Sequence, residues 1–592
     1  MQGLRVSSGF GLAVCCACGA KAPSPTVPNA SAAQACPPVS LSIVATNDVH
    51  GRLERLPIVA GFVNNLRKAH PGSGVLLLDA GDAFQGTIES NLNEGGAVMA
   101  AYRAMGYSAM TLGNHEFDFG PLGPSSSPQS ASDDPRGALK QRVAESNFPI
   151  LAANIVDATG HAPAWPNLLP STEVTVRGVR VGIVGVLTEG AADVIKRPNF
   201  DGLRATPMAP VAEHEALRLR KAGADVVVVL AHEGGECTRF DDPKDLSSCN
   251  PKSEIFRFAR ALPKGLVDVI VGGHKNAGVA HFVEGIPIVH APSNLVAFSR
   301  VDLVFDPATR RVISRHIEPP HPVCTVPMES GCNPGNYEGA PVVADWNTTL
   351  AVRPALQDAR EVRNEPVGVF VEAPFPVVKH GEMALGNLFA DIMREAVPGS
   401  DAAIGNAGSV RDVLPQGELT FGELHHVMPF DNQLAKVEVT GAEFARALTA
   451  SLLDEDHGEP AISGIRVSAE CEDGALKVTL KHPDGAAVRP DELLTVATSD
   501  FLALGGDGLF TRLHLPEGRV TLNTGTTVRD ALIAGLHKRH SIRPTDPALI
   551  DSTRPRIELP MPHPVRCAPA QRPANVREHG DSFEMHSERR AK

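Results

Sequence analysis

Residues 41–51 read LSIVATNDVHG: an apolar run from Leu41 through Ile43, Val44 and Ala45 that breaks at once into Asn47, Asp48, His50 and Gly51. The same design recurs down the chain, as VLLLDAGD at 75–82, AMTLGNHEFD at 109–118, VVVVLAHEGG at 226–235 and VDVIVGGH at 267–274. Short runs of Val, Ile and Leu separated by helical patterns describe strands covered on both faces. Strands are expected at Leu41–Ala45, Val75–Leu78, Ala109–Leu112, Val181–Val186, Val226–Leu230 and Val267–Val271, with helices such as Val59–Ala69 and Val211–Ala222 between them. This is a layered α/β domain, and in such folds ligand sites gather at the carboxyl ends of the strands, where the polar clusters fall.

Whole-chain numbers agree. The 592 residues carry 55 Lys+Arg against 68 Asp+Glu, a formal net charge of −13, with 43% hydrophobic and 21% charged residues. That composition buries real cores, and the length implies two or three domains at about 150 residues or more each. The acidic balance supplies no electrostatic footprint for nucleic acid. Residues 1–20 run from Arg5 through a short apolar core to Cys15, Cys16 and Cys18, which reads as an export leader rather than a membrane span. Leu12-Ala13-Val14-Cys15 resembles a lipoprotein cleavage site, so membrane attachment through a lipidated Cys is one expectation beside simple export to the periplasm or cell surface. Residues 21–40, rich in Ala, Pro and Ser, read as a tether. Cys237/Cys249 and Cys324/Cys332 flank short loops and suit local disulfides in an oxidising compartment; the pairing of Cys36, Cys471 and Cys567 stays open.

The first domain is expected over 41–341, with a Pro/Ser/Asp-rich insertion, Pro121–Arg136, as a mobile surface loop. Residues 342–364 read as a helical linker broken at Pro354. A second unit over 365–559 contains a helix at Leu385–Ala396, a strand at Lys436–Val439, a helix at Gly441–Leu453 and a strand at Leu493–Thr498, and 560–592 reads as a disordered tail.

A D-x-H triplet arises on the order of once by chance in a chain this long, so Asp48 and His50 alone mean little. Two apart, they would share one side of an extended backbone. Together with Asp82, Asn114, His115, Asp118, His232 and His274, each cluster following an apolar strand, they form a metal constellation, while Asp79 and Glu233 read as supports. Oxygen and nitrogen donors without thiolate suit Zn²⁺, Mn²⁺ or similar divalent ions. A carboxylate shared between two such ions, Asp82, would hold them about 3.5–4 Å apart, and a water bridging them loses a proton near neutral pH to become a nucleophile.

The order NDVHG, GD, GNHE, AHEGG, GGH resembles the calcineurin-like metallophosphoesterases, and the second unit narrows the likeness to the 5′-nucleotidase family. The resemblance covers about 41–559. It implies a four-layer α/β sandwich joined to an α+β nucleotide-recognition domain. It further implies a dinuclear site, with Asp48, His50 and Asp82 on one metal and Asp82, Asn114, His232 and His274 on the other. Asn276 stands where many relatives place a further ligating His, and an amide ligates more weakly. His115 would stabilise the transferring phosphoryl charge and Asp118 would orient it. Asn406-Ala407-Gly408-Ser409-Val410-Arg411 resembles the segment whose Asn meets the nucleoside and whose Arg meets the phosphate, and Lys379 lies where relatives often have another substrate-facing Arg. Phe430 and Phe501 match the rings that sandwich a base, and Asp507, in Gly505-Gly506-Asp507-Gly508, matches the carboxylate that takes ribose hydroxyls. The implied activity is removal of the 5′-phosphate of nucleotides by a metal-bridging hydroxide. UDP-sugar hydrolysis, 2′,3′-cyclic nucleotide or 3′-nucleotide cleavage, thiosulfohydrolysis and non-catalytic nucleotide binding are the alternatives.

Overall fold

The computed structural model describes residues 37–567, apart from 124, 129, 326–331, 379, 380, 456 and 517 and the side chains of 523–525. The leader, most of the tether, Cys36, Lys379 and the tail from 568 lie outside the described residues. Every strand expected in the first half is present, with ends shifted by a residue or two. The first starts at Val39, inside the expected tether, and the last begins at Val269 rather than Val267.

Two sheets form the middle of the first domain. One has seven strands in the order Arg311–Pro322, Ala297–Asp306, Val39–Thr46, Gly74–Asp79, Ala109–Thr111, Ile150–Leu151, Leu168–Leu169. The other has six, in the order Val279–Val283, Ile286–His290, Val269–Gly272, Val226–His232, Val179–Leu187, Ser171–Val176. Alternation along each strand serves two cores at once. Leu41, Ile43, Leu76 and Leu78 meet Val181, Ile183, Val228 and Leu230 between the sheets. Val44, Leu77 and Met110 turn outward to the helices Leu56–Ala69 and Gly96–Met105. Val184, Val227, Val229 and Ile270 do the same toward Met208–Ala222 and Glu254–Ala261. Helix, sheet, sheet, helix is the four-layer sandwich. Val39–Thr46 runs parallel to Gly74–Asp79, and Val226–His232 parallel to both Val179–Leu187 and Val269–Gly272, so their carboxyl ends open on common edges.

The linker is one helix, Trp346–Arg363, and is not broken at Pro354. It starts late because the Asp345 side chain caps it, accepting from Thr348 N–H at 2.8 Å. Pro354 removes the N–H that would reach the carbonyl of Leu350, a residue on the exposed side of the helix, where that carbonyl is not shut away from solvent. The second domain is built on a five-stranded sheet, Ala461–Ser463, Ala402–Gly405, Leu493–Ser499, Gln433–Thr440, Val520–Thr527. Helices Ala384–Ala396 and Val528–Arg539 share one core with it, and Gly441–Leu453 lies in the other. Thr440 and Thr527 start two of these helices through reciprocal capping boxes with Glu443 and Asp530.

Two expectations need correction. The 121–136 insertion is not a free surface loop: Ser126 and Ser127 are buried, and their hydroxyls donate to Asp431 O (2.7 Å) and Asp500 Oδ2 (3.3 Å) of the second domain. The tail is ordered as far as 567. Cys567 is disulfide-bonded to Cys471, and the fully buried Val565 donates its N–H to Leu452 O at 2.9 Å. The two local disulfides, Cys237–Cys249 and Cys324–Cys332, are both formed. Among the described residues no helix is long and apolar enough to cross a membrane.

Candidate active site

Beyond the last residues of the first two parallel strands the backbone pairing continues, with Asp48 N–H to Gly81 O (2.9 Å), His50 N–H to Asp82 O (3.0 Å) and Gly51 N–H to Ala83 O (2.9 Å). The D-x-H segment is not extended, as spacing alone suggested. Asp48, His50, Asp82 and His274 all hold left-handed backbone, with φ of +47°, +49°, +55° and +74°. Such conformations are costly for residues with a Cβ and cluster where a site needs side chains aimed in unusual directions. Gly113 shows how tightly the loops close, since a Cβ there would stand 2.2 Å from Asp82 Oδ1.

Two ligand clusters result, Asp48 with His50 and Asp82, and Asp82 with His232 and His274; within each, ligand atoms lie within 4.8 Å of one another. Asp82 is common to both. Their chemistry fits cations. The Nδ1 of His232 faces Ala80 O at 2.8 Å and must donate to it, so in the neutral ring Nε2 presents a lone pair. That Nε2 lies 3.1 Å from Asp82 Oδ2 and 3.1 Å from Asn114 Oδ1, and Asn114 Oδ1 is 2.9 Å from His274 Nδ1. Acceptors converging at such distances in a buried place call for a positive ion among them. His50 likewise commits Nδ1 to Gln85 O (2.9 Å) and frees Nε2. Asp48 is held by the His274 N–H (2.9 and 3.0 Å to its two oxygens) and by Asn47 Nδ2 at 2.7 Å. Asn276 sits exposed on the wall of the same cavity.

His115 donates its backbone N–H to Asp82 Oδ1 (2.8 Å), and its Nδ1 lies 2.6 Å from Asp118 Oδ2. Burial disfavours the imidazolium, but the carboxylates of Asp118 and Asp82 outweigh it and raise His115 to about 9. Asp79 and Glu233 are supports, as expected: Asp79 accepts from Thr46, Tyr102 and Gly81 N–H, and Glu233 from Thr188 and Gly234 N–H. Glu116 had no expected role, although it stands in the GNHE tetrad. It is 1% exposed and accepts four backbone N–H groups, those of Asp82, Ala83, Phe84 and Gly113.

A cavity of about 280 Å³ extends from these clusters to the second domain, and Asn406, Arg411, Phe430, Phe501 and Asp507 all line it. The Arg411 guanidinium lies over the Phe430 ring at 5.0 Å, and that ring stacks toward His115 at 6.2 Å. Phe501 stands over bare backbone, because a Cβ on Gly506 would be 2.5 Å from its ring. Asp507 accepts from Asn406 Nδ2 at 2.8 Å, and burial raises its carboxyl above the usual range. Ser126, Lys196 and His457 also line the cavity and were not foreseen. Lys196 and Ser126 carry no spacing signal, since each reaches the cavity from a loop or short helix whose path only the tertiary fold sets.

Residues 41–276 match the calcineurin-like phosphoesterase family, and residues 366–514 match the 5′-nucleotidase C-terminal domain. The chain is 26% identical over 502 residues to Protein UshA of Yersinia enterocolitica, covering 79% of this chain and 86% of that protein. It is 26% identical over 490 residues to Endonuclease YhcR of Bacillus subtilis, where 78% of this chain spans only 37% of the relative. Among solved structures, a 5′-nucleotidase precursor from Thermus thermophilus superposes with a TM-score of 0.66 at 25% identity, over 88% of this chain and 99% of that one.

Proposed function

Since the chain belongs to the 5′-nucleotidase family, joining a calcineurin-like phosphoesterase domain to a 5′-nucleotidase C-terminal domain, we propose that it is an exported, metal-dependent phosphohydrolase that removes the 5′-phosphate of nucleotides. One observation carries the reading. A single cavity is lined by Asp48, His50, Asp82 and His274 of the cation clusters together with Arg411, Phe430, Phe501 and Asp507 of the second domain.

In this reading Asp48, His50 and Asp82 hold one divalent ion and Asp82, Asn114, His232 and His274 the other, with Asn276 beside the first; zinc and manganese suit the donor set. When bound, the ions supply Lewis-acid polarisation of the phosphoryl group and a hydroxide nucleophile at neutral pH. His115 donates from its outer ring nitrogen to a phosphoryl oxygen as charge grows there, and Asp118 keeps that imidazole protonated and aligned. Arg411 meets the phosphate with its planar fork. Phe430 and Phe501 stack on the base, each such contact worth about 1–3 kcal/mol with little preference among bases. Asp507 takes hydrogen bonds from the sugar. The P–O5′ bond breaks and the nucleoside leaves as its alcohol. Three disulfides support residence in an oxidising compartment.

The test is phosphate release from AMP, UDP-glucose, 2′,3′-cyclic AMP and p-nitrophenyl phosphate by the protein lacking its first 21 residues, under several divalent ions and with chelator. AMP should be turned over with the highest kcat/KM and chelation should abolish it. A protein that leaves all four untouched, or works equally well after chelation, overturns the proposal.

A further inference from the structure

We infer that His457 is a positioning residue for Asp507, and that through it the cavity selects nucleotides with an intact 2′,3′-diol, an assignment that rests on the reading of Asp507 as the sugar-facing carboxylate. His457 follows the helix Gly441–Leu453, which ends at Asp454. Asp454 Oδ1 receives the backbone N–H of His457 at 3.2 Å and faces its ring Nδ1 at 3.0 Å. Fixed at both points, the imidazole has one orientation, with Nε2 3.4 Å from Asp507 Oδ1. The other carboxylate oxygen, Oδ2, is taken by Asn406 Nδ2 at 2.8 Å.

The consequence is geometric. A carboxylate has lone pairs on both oxygens and rotates freely about Cβ–Cγ unless both ends are held. Here Asn406 holds one end and the His457 ring the other, its two nitrogens facing carboxylate oxygens of Asp454 and Asp507 that it serves together only with an N–H at each, so the plane of the group is set. Asp507 itself sits on left-handed backbone, φ +53°, which fixes where its side chain starts. Each oxygen keeps one lone-pair direction open, and His457, Asn406 and Asp507 all line the cavity. Two parallel acceptors match two adjacent hydroxyls, whereas a 2′- or 3′-deoxy sugar supplies only one. Without His457 the carboxylate turns, and the second acceptor is no longer in register.

Steady-state kinetics decide the matter, with AMP, its 2′-deoxy and 3′-deoxy counterparts, and p-nitrophenyl phosphate, which has no sugar. His457→Leu should raise KM for AMP about tenfold, as expected for a displaced hydrogen bond to a charged group, and leave kcat within about twofold. Deoxynucleotides and p-nitrophenyl phosphate should be nearly unaffected, so the preference for the diol collapses. His457→Gln, similar in size and polar at the same reach, should keep most of it. Turnover of p-nitrophenyl phosphate reports that each variant is folded. Equal losses on AMP and p-nitrophenyl phosphate, or equal values for the Leu and Gln variants, overturn the inference. Asp507→Asn separates the two layers. If it destroys the diol preference while His457→Leu does not, the sugar reading stands and the positioning role falls. If Asp507→Asn keeps the preference, both fall.

Discussion

Replacing Glu116 by Gln probes the loop that presents Asp82 to both cation clusters. The Glu116 carboxylate is buried beneath that loop, with Oε2 accepting from Asp82 N–H (2.8 Å) and Gly113 N–H (2.6 Å), and Oε1 from Ala83 N–H (2.7 Å) and Phe84 N–H (3.3 Å). An amide keeps one acceptor oxygen and turns an NH₂ toward the other pair of donors. Hydrogen bonds to a charged group contribute about 1.5–3 kcal/mol each, so the rigid loss of two is about 3–6 kcal/mol, and relaxation leaves about 3. Native-state hydrogen exchange reads this directly at the amides of residues 82, 83, 84 and 113. A local loss of about 3 kcal/mol speeds exchange about a hundredfold. Because Asp82 also receives the His115 N–H, the shared ligand moves with the loop, and kcat for AMP should fall at least about tenfold while KM stays near that of the parent. Unchanged exchange at these amides together with unchanged kcat would refute the idea that Glu116 organises the site.

Asp82→Ala removes the ligand common to both clusters and should abolish turnover, with cation binding by the purified protein falling in parallel. Phe501→Ala should raise KM for AMP about tenfold with kcat largely kept, in line with the loss of one stacking contact; a loss in kcat at unchanged KM would defeat the division of labour between the domains. Lys196 and Asp500 pair across the domains at 3.6 Å, both buried. Lys196→Met takes the cation from a buried carboxylate that keeps the Ser127 hydroxyl (3.3 Å) and the Phe501 N–H (2.8 Å), and should cost about 3 kcal/mol of stability, part of it regained in the double variant with Asp500→Leu; a double variant as unstable as the single one argues against a pair. Cys567→Ser opens a loop of 96 residues, whose closure is worth about 4–5 kcal/mol, and should expose the chain after Glu558 to proteases.

Much of the first domain is legible because its strands are buried on both faces. Continuous Val, Ile and Leu runs such as 226–230 have few other readings, and polar residues directly after them fall on one edge of a parallel sheet. The order of the clustered residues was therefore readable: Asp48, His50, Asp82, Asn114, His232 and His274 meet in one place. Local shape was not. Left-handed backbone at four of those residues comes from loops closing on each other, which no spacing encodes. The 121–136 insertion has the composition of a mobile loop, yet Ser126 and Ser127 are buried against partners more than 300 residues away, and Glu116 reads as an ordinary acid until four N–H groups are seen to converge on it. The ordered stretch after Pro560 is held by one disulfide, the buried Val565 and His563, and Arg566 donating to Leu453 O at 3.0 Å, too few residues to register in composition.

Placement of Phe430 ties recognition to chemistry more closely than a two-domain description suggests. The ring belongs to the second domain, but the backbone around it is held from both sides. Gln85 Nε2, two residues from the Ala83 N–H that Glu116 receives, donates to Pro429 O at 2.6 Å, and Ser126 Oγ donates to Asp431 O at 2.7 Å. Arg529 of the second domain donates to Phe430 O at 2.7 Å and pairs with Asp431 at 2.7 Å. The loop that carries Asp82 thus also sets the position of a ring lying 6.2 Å from His115. In the proposed reading, a base stacked on Phe430 would have its distance from the cation clusters set by this short chain of contacts rather than by the domain linker. Arg363, near the end of the linker helix, pairs with the buried Glu89 and closes the same junction from behind.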